Sequence, residues 1–325
     1  MESSIALEGV RKTFGDTVAV EGLDLHVPRG GLWGFIGPNG AGKTTSIRMI
    51  MSILFPDSGR ISVLGHASAL DAKDRIGYLP EERGVYKKMK VGAFLAYVAR
   101  LKDADGAGLK QRIRGWLERV ELPHVEYTRC EELSKGMQQK IQFIASVIHE
   151  PELLILDEPF SGLDPVNMRL LRDLVLAEHQ RGATVIFSTH VMIQAEQLCD
   201  HIVMIDRGKK VLDDSLEAIK RQFDPRTLVC EPLDSAADMA SVEALPEVAS
   251  VIRDNGSWTI SLVEGVAPTD ALRAIAGTQA RVRIELQRPS LEDVFVEQVA
   301  AGSRSAKDLA ELRASLRAEP QEVAS

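Results

Sequence analysis

The chain has 325 residues, 45% of them hydrophobic and 26% charged, enough for one large α/β core and a smaller domain. Its net charge of -8 argues against a surface built to hold nucleic acid or anionic lipid, but leaves room for one or two cations at a phosphate site. Cys130, Cys199 and Cys230 lack metal-ligand spacing, a pattern that suits a reducing compartment. The sequence opens without a basic segment followed by an apolar run. No stretch nears the roughly 18 apolar residues of a membrane span, so the expectation is a cytoplasmic protein.

Residues 5–10 and 18–27 alternate like strands of a half-exposed antiparallel sheet. The apolar run 32–36 predicts a buried strand, then a glycine-rich turn and a helix from Lys43 to about residue 54. Further strands are predicted at 59–64 and 75–79. From about 91 to 121 the periodicity is helical, with Phe94, Leu95, Val98 and Leu101 on one face and Ile113, Leu117 and Val120 on another. This is read as an inserted helical subdomain covering about 84–150.

Ser134 is placed to cap a helix running to about 148. A strand at 153–156, a helix at 166–180, a strand at 184–188, a helix at 192–199 and a hairpin at 201–205 and 209–212 follow. Strands alternating with helices imply a mainly parallel, helix-flanked sheet. After Phe223-Asp224-Pro225 the order is β-α-β-β-α-β, at 226–230, 236–244, 248–253, 258–262, 269–276 and 282–286. That order resembles a ferredoxin-like unit, and a last helix is predicted at 291–299. Residues 301–325 read as a charged tail, helical or disordered.

Gly37-Pro38-Asn39-Gly40-Ala41-Gly42-Lys43-Thr44 matches G-x-x-x-x-G-K-[ST] in full, between a strand and a helix. Its glycines let the backbone wrap phosphate, and the helix N-terminus adds positive potential. Lys43 is the residue to reach the β- and γ-phosphates, and the Thr44 hydroxyl is a ligand for Mg²⁺. A second signal lies at Asp157 and Glu158, at the carboxyl end of an apolar strand where parallel sheets bind ligands. Asp157 is placed to hold Mg²⁺ and Glu158 to polarise an attacking water.

Further motifs narrow the choice among phosphate-loop enzymes. Leu133-Ser134-Lys135-Gly136-Met137-Gln138-Gln139-Lys140 resembles the ABC signature, Ser161-Gly162-Leu163-Asp164-Pro165 the D-loop, and Ser188-Thr189-His190 the switch histidine. Phe14 lies where that family has its adenine-stacking aromatic. The resemblance to ABC ATPases implies an α/β fold: a P-loop NTPase (ABC ATPase) core with an antiparallel β subdomain and an inserted helical subdomain over residues 1–222. A small α+β ferredoxin-like C-terminal domain would occupy 226–300.

The resemblance also implies a composite site. Ser134, Lys135, Gly136 and Met137 of one subunit, with Asp164 nearby, would close over ATP held by Gly37–Thr45 of another, in a homodimer or heterodimer. His190 would contact the γ-phosphate and hold water with Glu158. The cofactors implied are ATP and Mg²⁺, and the partner is a separate transmembrane permease. No nucleic acid is expected. Two departures stand out: Lys135 and Met137 within the signature, and Glu81, in Leu79–Arg83, where the family has a glutamine and where the glutamate is expected to face Mg²⁺ with Thr44 and Asp157. Pro289-Ser290-Leu291-Glu292-Asp293-Val294-Phe295 resembles the ending of sodium-extrusion and drug-export types. The alternative is a soluble ABC ATPase acting on ribosomes or DNA without a permease.

Overall fold

The computed structural model describes residues 3–82, 84–222, 227–232, 239–254, 257–278, 281–287 and 290–301. These fall into two compact units, one reaching Leu216 and the other built on Glu217–Glu297. Of the tail expected at 301–325, residues 302–325 lie outside the described residues, as do the first residues of the helix expected at 236–244.

The first unit begins with strands β1 (Ser3–Phe14) and β2 (Thr17–Pro28), followed by β3 (Leu32–Ile36), helix α1 (Lys43–Ile50), β4 (Ser58–Val63) and β5 (Ile76–Leu79). Next come helices α2 (Val91–Leu101), α3 (Leu109–Arg119) and α4 (Lys135–Val147), then β6 (Leu153–Asp157), α5 (Pro165–Gln180) and β7 (Thr184–Thr189). Helix α6 (Met192–Leu198) and the hairpin β8 (His201–Asp206) and β9 (Lys209–Ser215) complete the series, and α7 (Leu216–Gln222) opens the second unit.

A six-stranded sheet runs β5-β6-β7-β3-β8-β9, parallel except for the last pair. Every residue of β3, β6 and β7 is buried, as strands covered on both faces require. An antiparallel sheet, β2-β1-β4, carries the alternating pattern of the N-terminal strands and shares their core with Ile47, Met49 and Ile50 of α1. The helical subdomain buries Phe94 and Leu95 of α2, Ile113 and Trp116 of α3, and Phe143 of α4, whose ring meets Trp116 edge-on at 6.2 Å.

The helix expected to reach about residue 54 stops at Ile50. Ile53 N–H donates to the Arg48 carbonyl at 2.9 Å and Ser52 N–H to Met49 at 3.0 Å, with Ser52 at φ 56. This is a Schellman stop, usually marked by glycine and here taken by serine. The expected 91–121 stretch is two helices, separated by a turn with Asp103 and Gly108 at positive φ.

The second unit, after α7, contains β10 (Thr227–Pro232), α8 (Ala240–Glu243), β11 (Val248–Asp254), β12 (Ser257–Leu262), α9 (Pro268–Ala276) and β13 (Arg281–Gln287), and the chain continues into α10 (Leu291–Ala301). Its antiparallel sheet runs β11-β12-β10-β13, the arrangement of a ferredoxin-like unit. Leu228, Cys230, Ile260, Val242, Ala271 and Ile275 form its core.

Candidate active site

The carboxyl ends of β3, β5, β6 and β7 open on one cleft. It is lined by Thr17, Val18 and Ala19 of β2, the loop from Asn39 to Thr45, Glu81 and Glu158. The phosphate loop turns through Gly37, Gly40 and Gly42, at φ 155, 76 and 106, and delivers Lys43 as the first residue of α1. A Cβ on Gly42 would strike the Ala19 carbonyl, and one on Gly37 the Ile205 carbonyl. Gly42→Ala is therefore expected to destabilise the fold by at least about 1 kcal/mol and to lose ATP binding, checked by thermal unfolding and nucleotide titration.

Lys43 is buried, and its ammonium donates to the carbonyls of Gly37 at 2.7 Å and Pro38 at 3.1 Å. It lies 3.9 Å from Glu158 Oε1. Burial holds its pKa below the ordinary lysine value, against the pull of Glu158, Asp157 and Glu81.

Asp157 is fully buried at the end of β6. Its Oδ1 accepts from Ser188 at 2.5 Å and from Thr44 at 3.4 Å, while its Oδ2 is buried with no partner among the described residues. Burial pushes this carboxyl above the usual carboxylate range, although the Ser188 and Thr44 hydroxyls pull the other way. A buried carboxylate oxygen beside a threonine hydroxyl next to a phosphate-loop cleft fits Mg²⁺, a hard cation that takes oxygen ligands together with phosphate. Among the described residues no three His, Cys, Asp or Glu side chains form a metal cluster by themselves, so such an ion would draw its other ligands from nucleotide and water.

Glu158 has φ 47, a left-handed conformation that costs a non-glycine residue about 1–3 kcal/mol. Its N–H is pinned by the backbone oxygen and hydroxyl of Ser188, each at 3.2 Å. His190 Nδ1 bonds its Oε1 at 2.9 Å, and both side chains are nearly buried. Here the histidine, expected to hold water with Glu158, grips that carboxylate directly. Glu81 sits exposed at the rim of the cleft, its pKa raised by partial burial and then by Asp157 and Glu158.

The remaining expected residues lie outside this cluster. Phe14 ends β1 half exposed at 51%, with Lys12 Nζ 5.7 Å from its ring centre, and it does not line the cleft. Ser134 caps α4, accepting from Met137 N–H at 3.3 Å, a bond worth about 1 kcal/mol. Lys135 is exposed. Gly136 faces Leu163 and Asn167, so the signature turn packs near its own chain's D-loop. Asp164 caps α5 by accepting from Val166 and Asn167 N–H, each at 3.0 Å. Ser188 and Gln139, which donates to the Pro159 carbonyl at 3.0 Å, were not among the expected site residues. For Ser188 the available signal was a hydroxyl at the carboxyl end of the apolar strand next to that of Asp157.

Residues 20–161 match the family model described as ABC transporter, and 215–299 match that of the ATP-binding protein DrrA1-3-like C-terminal domain. An uncharacterized ABC transporter ATP-binding protein of Bacillus subtilis (strain 168), YhaQ, is 41% identical over 91% of this chain and 99% of its own. The chain belongs to the ABC transporter ATP-binding proteins. Among other members of this family, the Nod factor export ATP-binding protein I of Rhizobium sp. (strain N33) is 31% identical over 90% of this chain and 96% of its own. A solved ATP-binding subunit of an ABC transporter superposes with TM-score 0.63 at 29% identity, covering 68% of this chain and 93% of that one. The protein is thus an ATP-binding and ATP-hydrolysing subunit coupled to transport, with a transmembrane permease as its partner. No helix among the described residues is long and apolar enough to cross a membrane.

Proposed function

We propose that the chain is the ATPase of an exporter and works as a closing pair of cassettes at the cytoplasmic face of the membrane, held there by the permease. The observation that carries the site assignment is the convergence of Lys43, Thr44 and Glu158 on one cleft, with Asp157 bonded to Thr44, His190 bonded to Glu158, and Asp157 Oδ2 without a partner among the described residues. Export is favoured by the relative whose name states it and by the match of the C-terminal segment.

In this reading the loop Gly37–Thr45 wraps the phosphates and Lys43 turns from its carbonyl partners to the β- and γ-phosphates. Thr44 and Asp157 hold Mg²⁺, with Glu81 at the rim of the same cleft. Bound there, such an ion would supply neutralisation of the charge that develops on the phosphate oxygens. Glu158 accepts a proton from the attacking water, and His190 orients the Glu158 carboxylate while its second ring nitrogen serves the γ-phosphate. Phe14, whose exposed ring lies one turn from Thr17, stacks on adenine. Ser134, Lys135, Gly136 and Met137, with Asp164, close the partner cassette's site, where the α4 N-terminus favours an anion. Residues 226–300 form an accessory domain that regulates or pairs the cassettes.

The permease surface is an aromatic patch on the helical subdomain. Tyr86 is 54% exposed, with its ring 5.6 Å from exposed Tyr97 and 5.9 Å from Phe94. Val85 and Met89 flank it, half buried. Exposed aromatics clustered this way mark a protein contact. Pull-down of the full chain from a detergent extract is expected to recover a polytopic membrane protein, and Tyr86→Ser with Tyr97→Ser to reduce that recovery severalfold. Recovery of ribosomes or DNA in its place would favour the soluble alternative.

A further inference from the structure

Helix α4 carries an amide that its own packing does not need. Gln142 is only 6% exposed and sits between the fully buried Ile141 and Phe143. Its Nε2 donates to the Glu82 carbonyl at 3.4 Å, while its Oε1 is buried with no hydrogen-bond partner among the described residues. A buried acceptor left unmet lowers stability, and an apolar residue of the same length would avoid that cost. The contact must therefore be sought in what Gln142 holds.

Glu82 follows Glu81, which lines the nucleotide cleft. The same segment passes Gln142 again at Gly84, where an added Cβ would lie 3.7 Å from Nε2. We infer that Gln142 is a positioning residue of the ATPase reaction: through the Glu82 carbonyl it sets how the Glu81 carboxylate is presented to the cleft. Helix α4 opens at Ser134 and, through Gln139, also holds the carbonyl of Pro159, the residue after Glu158. One helix thus grips the backbone beside both carboxylates. The inference rests on the proposed nucleotide site and adds the residue that ties it to the helical subdomain.

The test uses Gln142→Met, which keeps length and removes both polar atoms, and Gln142→Glu, which keeps shape and removes the donor. Each is made in the full chain, with and without Glu81→Ala, and kcat, KM for Mg-ATP, binding of a non-hydrolysable ATP analogue, and Tm are measured. Both Gln142 variants are expected to lower kcat on the order of tenfold with analogue binding changed less than about threefold. Gln142→Met is expected to keep or raise Tm. In the Glu81→Ala background the same changes should alter kcat by less than about twofold, because the side chain being positioned is gone. An unchanged kcat, or an equal loss in both backgrounds, would overturn the inference while leaving the site assignment intact. Wild-type turnover in Glu158→Gln would overturn both.

Discussion

Glu158→Gln is expected to bind Mg-ATP within a few-fold of the wild type and to lose at least about a hundredfold in turnover. A positioned general base contributes about 10²–10⁴-fold, and this carboxylate is placed as one. It is nearly buried, gripped by His190 at 2.9 Å and fixed to a backbone whose φ of 47 is held by Ser188. Glutamine preserves size and the contact with His190 but cannot take the proton. Steady-state phosphate release and nucleotide titration on the same preparation separate the two effects. Turnover at the wild-type rate would remove Glu158 from the mechanism and leave its strained backbone without a catalytic role.

The second large effect is expected at Lys43. Lys43→Met should weaken ATP binding by about thirtyfold or more, since truncating one partner of a buried charge pair costs about 2–5 kcal/mol and each 1.4 kcal/mol is tenfold. The ammonium is buried, so its interaction with phosphate is little screened by water. Its bonds to the Gly37 and Pro38 carbonyls also shape the empty-handed loop, so thermal unfolding must accompany the titration. A folded variant that binds ATP as tightly as the wild type would show that the loop glycines and helix N-terminus alone hold the phosphates.

The parts of this site that could be read in the sequence are those made by neighbours in the chain. The phosphate loop, the carboxylates ending the apolar strand at Leu153–Asp157 and the histidine after Thr184–Thr189 each carry a local pattern, because strand, turn and helix start follow within a few residues. What could not be read comes from strands meeting across the sheet. The register that sets Asp157 against Ser188 places a hydroxyl on the Asp157 carboxylate from 31 residues away. Likewise Gln142 reaches Glu82 across 60 residues, and nothing near either one announces it. The early end of α1 was hidden because Ser52 takes the left-handed turn usually marked by glycine. Helix α7 (Leu216–Gln222) was absent from the expected elements, and its seven residues give too short a pattern to stand out. Phe14 was singled out by its position in the N-terminal hairpin, and its ring is half exposed beside Lys12, paired in register with Thr17 at the edge of the cleft.

The central claim is that ATP draws two cassettes together around sites completed by Ser134 and Gly136 of the opposite chain. Sedimentation velocity of the Glu158→Gln chain, with and without Mg-ATP, tests it most directly, because this variant holds ATP without consuming it. The account predicts a species of twice the monomer mass that appears with Mg-ATP and disappears when Ser134→Arg blocks the signature turn. A chain that sediments identically with and without Mg-ATP, or a pair that survives the Ser134 substitution, would contradict it.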